Sequence, residues 1–320
     1  MQITPEKSTK LAVIGAGSVG SSLAYASLIR GAARTVALYD LNTAKVNAEV
    51  LDLAHGTQFM SGSRVIGGDD IECVHDADVV VITAGARQKP GQSRLDLAGA
   101  NVAILRSLMP QLLEQAPDAI YVLVTNPCDV LTAAAVKISG LPPSRVMSSG
   151  TVLDSSRLRW LIGTRIGVAP SSVHAMIVGE HGDSEFGLWS SASIGQVPLT
   201  QWTDENGEQV FTPEALEELG HKVSGAAYRV IEGKGATNYA IGVTGTRIVQ
   251  AILGDQHAVL PVSTVLDDYH GVSGVAMSVP SIVSRDGVVR TLDFPMDDAE
   301  HARFIRSAET LREVHRQLGI

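Results

Sequence analysis

Val13-Ile14-Gly15-Ala16-Gly17-Ser18-Val19-Gly20 sets a glycine-rich turn at the end of an apolar run. The apolar run over 11–15 reads as a buried strand and 18–31 as a helix, so the glycines fall on the turn between them. A G-x-G-x-x-G turn in that place has a physical reason. Its glycines permit a tight bend and let backbone N–H groups approach a pyrophosphate, whose charge is stabilised at the positive end of the helix. Alone the motif is weak, and its context strengthens it. Asp40 ends the next apolar run, TVALYD over 35–40, twenty residues after Gly20. A carboxylate there accepts hydrogen bonds from the hydroxyls of an adenosine ribose and repels a 2′-phosphate, which selects NAD over NADP.

Working outward, DVVVITAG (78–85) and AIYVLVTN (119–126) are two more β-branched runs bounded by turn residues. Both are too short for helices, whereas 43–55 carries a helical pattern. Strands alternating with helices predict an α/β fold over residues 1–150, a doubly wound parallel sheet of Rossmann type. The polar stretch 86–94 contains Pro90 and Gly91. It reads as a loop running into a helix from about Leu95, which Pro110 interrupts or divides. Beyond residue 150 the pattern changes. A helix over 152–166 precedes hairpin-like alternation in VHAMIVG (173–179) and VAMSVPSIV (275–283), with a turn in SRDGVV (284–289). Amphipathic helices are expected over 212–232, 238–253 and 297–318, so residues 151–320 read as a mixed α+β substrate domain.

Composition narrows the function classes. Of 320 residues, 45% are hydrophobic and 18% charged, the profile of a folded chain. A formal net charge of −9 opposes a nucleic-acid partner, because binding phosphates needs a basic face. Cys73 and Cys128 are too few for a disulfide framework or a structural zinc site, and both sit in apolar runs as expected inert thiols. The first ten residues lack the apolar core of a signal peptide. No run approaches the roughly 18 apolar residues of a membrane span. A cytoplasmic protein without a membrane partner is expected.

The chemistry is written in Gly179-Glu180-His181-Gly182-Asp183 and Asp154-Ser155-Ser156-Arg157. A histidine on a glycine-flanked turn is free to face a cleft, and Asp154 and Arg157 share one helix face. Together they equip a site to reduce a 2-oxo acid. Hydride transfer to a carbonyl leaves negative charge on oxygen and needs a proton donor that titrates near neutrality. His181 is that acid, and the base in reverse. Asp154 fixes its tautomer and favours the imidazolium. Arg157 offers a substrate carboxylate a two-pronged fork that lysine does not reproduce. Arg94, at the end of the Pro/Gly loop, would reach the carbonyl oxygen as that loop closes and expels water. Gly85, Ala86, Val124 and Asn126 end two strands where an open parallel sheet binds ligands, and the Asn126 amide would face the nicotinamide ribose or the substrate.

From Leu11 to the C-terminus the chain resembles the L-lactate/malate dehydrogenase family. The matching strings are VIGAGSVG, TAGARQKPGQSRL, VTNP, SGTVLDSSRLR, GEHGDSE and KGATNYAIG, in family order. The resemblance implies His181 as proton donor and acceptor, Asp154 as its partner, Arg157 holding the carboxylate, Arg94 polarising the carbonyl, and Thr237 in the substrate pocket. It implies NAD held at Gly15, Gly17, Val19, Gly20, Asp40, Lys45, Gly85, Ala86, Val124, Asn126 and Ser149, no metal, and a homotetramer.

Gln88 stands where malate-type members typically carry an arginine that pairs with the second carboxylate of oxaloacetate. A neutral glutamine suits the methyl of pyruvate and leaves a dianion with one charge unpaired. Pyruvate and L-lactate are therefore the expected pair. Arg159 and His174 match residues that, in bacterial members, bind fructose 1,6-bisphosphate across a subunit two-fold axis. Two copies of each would gather four positive groups around one bisphosphate and favour the tetramer. Gln92 replaces a common glutamate, and Tyr228 reads as packing. Three alternatives are weaker: a malate dehydrogenase, opposed by Gln88; an NAD-dependent glycosidase, opposed by the lack of a metal-binding cysteine–histidine set; and a silent NAD-binding protein, opposed by the full catalytic set.

Overall fold

The computed structural model describes residues 8–86 and 93–320, with Arg94 described by its backbone alone. The expectations placed on Gln88, on Gln92 and on the Arg94 side chain lie outside the described residues. The first half runs β1 (Lys10–Ile14), α1 (Ser18–Arg30), β2 (Thr35–Tyr39), α2 (Thr43–Gly56), β3 (Arg64–Gly68), β4 (Val79–Ile82), α3 (Arg94–Gln115), β5 (Ile120–Leu123), α4 (Cys128–Ser139) and β6 (Val146–Ser148). These six strands pair in parallel in the order β3-β2-β1-β4-β5-β6. The order reverses between β1 and β4, which opens a crevice at the carboxyl ends of the strands.

Helices cover both faces of this sheet. On one face lie Leu23 and Leu28 of α1 with Val46 and Leu53 of α2. On the other lie Val102, Leu105, Met109 and Leu112 of α3 with Leu131 and Ala134 of α4. That buried stripe on α3 explains why Pro110 does not divide it. The helix is continuous from Arg94 to Gln115. A proline inside it gives up one helical hydrogen bond, and packing along the stripe holds the axis through it. Ser93 caps the helix, its hydroxyl accepting from the Asp96 N–H while the Asp96 carboxylate accepts from the Ser93 N–H.

In the second half, α5 (Val152–Ile166) is followed by the short strands β7 (Val173–His174) and β8 (Ile177–Val178). After them come α6 (Pro213–Ser224), α7 (Ala226–Lys234), α8 (Tyr239–Leu253) and α9 (Asp298–Leu318). Three expectations are corrected here. The helix expected over 212–232 breaks at Gly225, a residue with low helix propensity, into α6 and α7. VHAMIVG is not one strand of a hairpin: β7 pairs with Ser193–Ile194, and β8 with Phe186–Gly187. VAMSVPSIV divides at Pro280, which has no N–H for a ladder. Its first part, Ala276–Ser278, pairs with Ser263–Val265, and Ser263 pairs with Ser148 of β6. The central sheet thus gains two antiparallel strands from the second half. The remainder, Ser281–Ser284, forms the expected turn through Arg285 and Asp286 onto Gly287–Thr291.

α8 also belongs spatially to the first half. It packs on α1, with the Ser27 and Thr246 hydroxyls 3.0 Å apart, and contributes Ile248 and Ile252 to the core beneath the sheet. Asn238, just before α8, donates from Nδ2 to the Ser22 hydroxyl at 2.9 Å. This docking fixes the segment that carries Thr237. Cys128 is buried and Cys73 half-buried, and neither is in a disulfide. Among the described residues no helix is long and apolar enough to cross a membrane.

Candidate active site

The nucleotide crevice is built from strand ends. Gly15 takes φ +105°, a left-handed conformation that L side chains rarely adopt. Its N–H donates to the Tyr39 carbonyl at 2.7 Å, which bends the chain sharply out of β1. A Cβ on Gly20 would lie 1.8 Å from the Gly15 carbonyl oxygen, so that close approach needs glycine. Around Gly17 the opposite holds: nothing lies within 4 Å of a Cβ built there. The tight turn and the open space above it fit a pyrophosphate resting on the start of α1.

Asp40 follows β2 and is tied to this loop. Its Oδ2 accepts from the Ala16 N–H at 2.7 Å and its Oδ1 from the Asn42 N–H at 2.9 Å. Each carboxylate oxygen keeps a further lone pair for a ribose hydroxyl. Gly85 and Ala86 lie beyond the end of β4, Val124 and Asn126 beyond β5, and Ser149 just beyond β6, so all face the same edge of the sheet. Val19 and Lys45 sit in the first turns of α1 and α2. Asn101 escaped the sequence reading. It is buried on α3, accepts from the Ala86 N–H at 2.7 Å and donates to the Asn126 carbonyl at 2.8 Å. It thereby joins the two loops that floor the crevice.

His181 is brought to that edge by three anchors. Its N–H donates to Asp129 Oδ2 at 2.6 Å, and Asp129 lies at the start of α4, three residues past Asn126. The preceding Glu180 N–H donates to the Ser307 hydroxyl of α9 at 2.8 Å. Gly179 exchanges backbone hydrogen bonds with Ser278 at 3.0 and 2.9 Å. α5 is set against the same turn, because its Ser155 hydroxyl accepts from the Ile177 N–H at 2.9 Å.

Asp154 and Arg157 then meet His181 from α5. Asp154 Oδ2 is 2.7 Å from His181 Nδ1, and Arg157 Nη1 donates to Asp154 Oδ1. Asp154 is 1% exposed, the His181 side chain 24% and Arg157 18%. With Nδ1 committed to the carboxylate, Nε2 is the ring nitrogen that remains for a substrate. Burial alone would raise the Asp154 carboxyl, but His181 and Arg157 beside it more than offset this and hold it below the usual range. Burial opposes charge on His181, yet the Asp154, Glu185 and Asp129 carboxyls outweigh it and push its pKa up to about 9.

Asp129 and Glu185 were also missed in sequence. Burial pushes the Asp129 carboxyl up to about 6. Burial, with the Asp154 carboxylate next to it, pushes Glu185 up to about 9. Ligand atoms of Asp154, His181 and Glu185 lie within 4.8 Å of one another, a crowded acidic pocket around one imidazole.

The remaining sites fall elsewhere. Thr237 is half-buried in the segment between α7 and α8. Arg159 reaches the chain next to β7, its Nε donating at 2.9 Å to the carbonyl of Ala175, the residue after His174. Tyr228 is 57% exposed rather than packed, and its hydroxyl donates to Asp183 Oδ1 at 3.4 Å.

Comparison with known proteins agrees along the whole chain. Residues 9–148 match the lactate/malate dehydrogenase NAD binding domain, and residues 151–318 match the alpha/beta C-terminal domain of the same family. The chain is 54% identical over 316 residues to an L-lactate dehydrogenase of Bifidobacterium animalis subsp. lactis, with 99% of each chain covered. It is 44% identical over 305 residues to an L-lactate dehydrogenase of Synechococcus sp., covering 95% of this chain and 98% of that one. The crystal structure of the minor L-lactate dehydrogenase from Enterococcus mundtii in its ligands-bound form superposes with a TM-score of 0.93 at 40% identity, covering 98% of this chain and 99% of that one. A dinucleotide crevice beside a histidine–aspartate–arginine cluster, matched over both halves, identifies the chain as a member of the lactate/malate dehydrogenase family and an NAD-dependent oxidoreductase.

Proposed function

We propose that the chain is an L-lactate dehydrogenase that reduces pyruvate reversibly to L-lactate, with residues 1–150 holding NAD and 151–320 holding substrate. The observation that carries this reading is the His181–Asp154–Arg157 cluster, with Nδ1 of the imidazole 2.7 Å from Asp154. When bound at the crevice, NADH supplies the hydride. His181 delivers the proton from Nε2 to the carbonyl oxygen, and Asp154 keeps the imidazolium charged and oriented until then. Arg157 holds the substrate carboxylate with the donors that Asp154 does not occupy, and Arg94, at the start of α3, polarises the carbonyl. Asn126 and Thr237 complete the substrate pocket, beside the cofactor positions named from the sequence. The setting is cytoplasmic, at the end of fermentative glycolysis.

Substrate choice is assigned to Gln88. Gln88→Arg is expected to raise oxaloacetate kcat/KM at least about 100-fold relative to pyruvate, since it supplies the partner that a buried second carboxylate lacks. Steady-state assays with both acids check this, and an unchanged ratio removes Gln88 from the account.

Arg159 and His174 are proposed to bind fructose 1,6-bisphosphate where two subunits of a homotetramer meet. The hydrogen bond from Arg159 to Ala175, the residue after His174, supports the reading, because two copies would gather four basic side chains around one effector. The bisphosphate is expected to lower the pyruvate KM. Superimposable saturation curves with and without it would remove the effector.

A further inference from the structure

Glu185 is a buried acid that the reaction above does not use. It lies four residues after His181, with its side chain 4% exposed and Oε2 3.9 Å from the same imidazole Nδ1 that Asp154 engages. Its Oε1 has no hydrogen-bond partner among the described residues. A carboxylate ionised in that position would be a buried charge with an unsatisfied oxygen, a strongly unfavourable state.

The charges around it are already balanced. From α5 it meets Asp154 and Arg157, from α4 Asp129, and from its own loop His181. That is two carboxylates against a guanidinium and an imidazolium. On its outer side Glu185 lines a cavity of about 280 Å³ with Glu217 and His221 of α6 and Arg303 and Arg306 of α9. Glu180, on the same loop, is engaged by the Ser184 hydroxyl.

We propose that Glu185 is a positioning residue for proton transfer, a buried carboxyl that stays neutral while His181 is charged and so sets how tightly the imidazole holds its proton. The inference rests on His181 being the proton donor. In reduction the Nε2–H bond breaks and an O–H bond forms on the substrate, which takes the cluster from neutral to one negative charge. Were Glu185 ionised, the same step would end at two negative charges. The imidazole would then release its proton less readily. The upward push on the Glu185 carboxyl, to about 9, agrees with the charge count.

Glu185→Gln keeps the shape and makes the neutral state permanent. The alkaline limb of kcat/KM is expected to move to lower pH by at least about half a unit. The sign follows from chemistry: in wild type a carboxylate appears beside the imidazolium as pH rises and holds its proton on, and glutamine has none to offer. A 13C NMR titration of the His181 ring without substrate should shift equally, and it reads proton affinity whether or not pyruvate is the substrate. Infrared spectra of wild type with isotope-labelled glutamate should show a carboxylic-acid band at neutral pH, a measurement that needs no variant to fold. An unmoved His181 titration reduces Glu185 to packing, and a missing acid band shows it ionised; either result overturns the proposal.

Discussion

His181→Asn is expected to lower kcat for pyruvate reduction about 10²–10⁴-fold while leaving NADH affinity within about twofold. The structure explains why the loss should fall on turnover. His181 is held by its backbone N–H to Asp129 at 2.6 Å and by its neighbour Glu180 to Ser307 at 2.8 Å, so the loop does not depend on the ring for its place. In the proposed reaction the ring contributes the proton, and Asp154 at 2.7 Å keeps that proton available well above neutrality. Asparagine can donate to Asp154 from its amide N–H but has no group that gives a proton to an alkoxide. The proposed cofactor positions lie beyond the ends of β1, β2, β4, β5 and β6 and in the first turns of α1 and α2, and this side chain is not among them. Pre-steady-state NADH oxidation separates the two effects. A variant that binds NADH normally and still turns over at more than about a tenth of the wild-type rate would take the proton-donor role away from His181.

The second large effect is expected at Arg157. Its Nη1 is committed to Asp154 Oδ1, and the rest of the guanidinium remains for a substrate carboxylate. Lysine preserves the charge and loses both features, since an ammonium at the end of a flexible chain cannot bridge Asp154 and grip a carboxylate in one plane. Arg157→Lys is therefore expected to raise the pyruvate KM about 10²–10³-fold, the cost of about 3–4 kcal/mol in a charge-assisted, largely desolvated pair. Part of the loss should appear in kcat, because Asp154 loses a partner and orients His181 less firmly. An unchanged KM in the lysine variant would mean that the carboxylate is held elsewhere.

Much of this arrangement was legible in the sequence, for reasons that particular elements show. β1, β2, β4 and β5 are buried almost throughout, so each is an uninterrupted apolar run that reads as a strand. β3 is a half-exposed edge strand ending in two glycines, and β6 has three residues; neither carries a period to read. Ser263–Val265 joins the central sheet by pairing with Ser148, more than 100 residues earlier, and brings Ala276–Ser278 with it, which local pattern does not encode. The cluster of His181, Asp154 and Arg157 was legible because Asp154 and Arg157 are one helical turn apart and His181 lies on a glycine turn.

Asp129, Glu185 and Asn101 were not. Asp129 reads as an ordinary acid in the first turn of a helix, stabilised by the helix dipole, and its bond to His181 spans 52 residues. Glu185 reads as a loop carboxylate until folding buries it. Asn101 is one polar residue inside a helix whose partners, Ala86 and Asn126, are 15 and 25 residues away. In each case the chemistry arises from contacts between elements rather than from spacing along one.

Steady-state NADH oxidation by the purified protein, with pyruvate and with oxaloacetate, decides whether this site acts on a 2-oxo monoacid. The cluster of His181, Asp154 and Arg157, with a neutral residue at position 88, predicts rapid turnover and a kcat/KM for pyruvate at least about 100-fold above that for oxaloacetate. A preference for oxaloacetate would contradict the substrate assignment while leaving fold and cofactor in place, and no turnover with either acid would contradict the proton-delivery site itself.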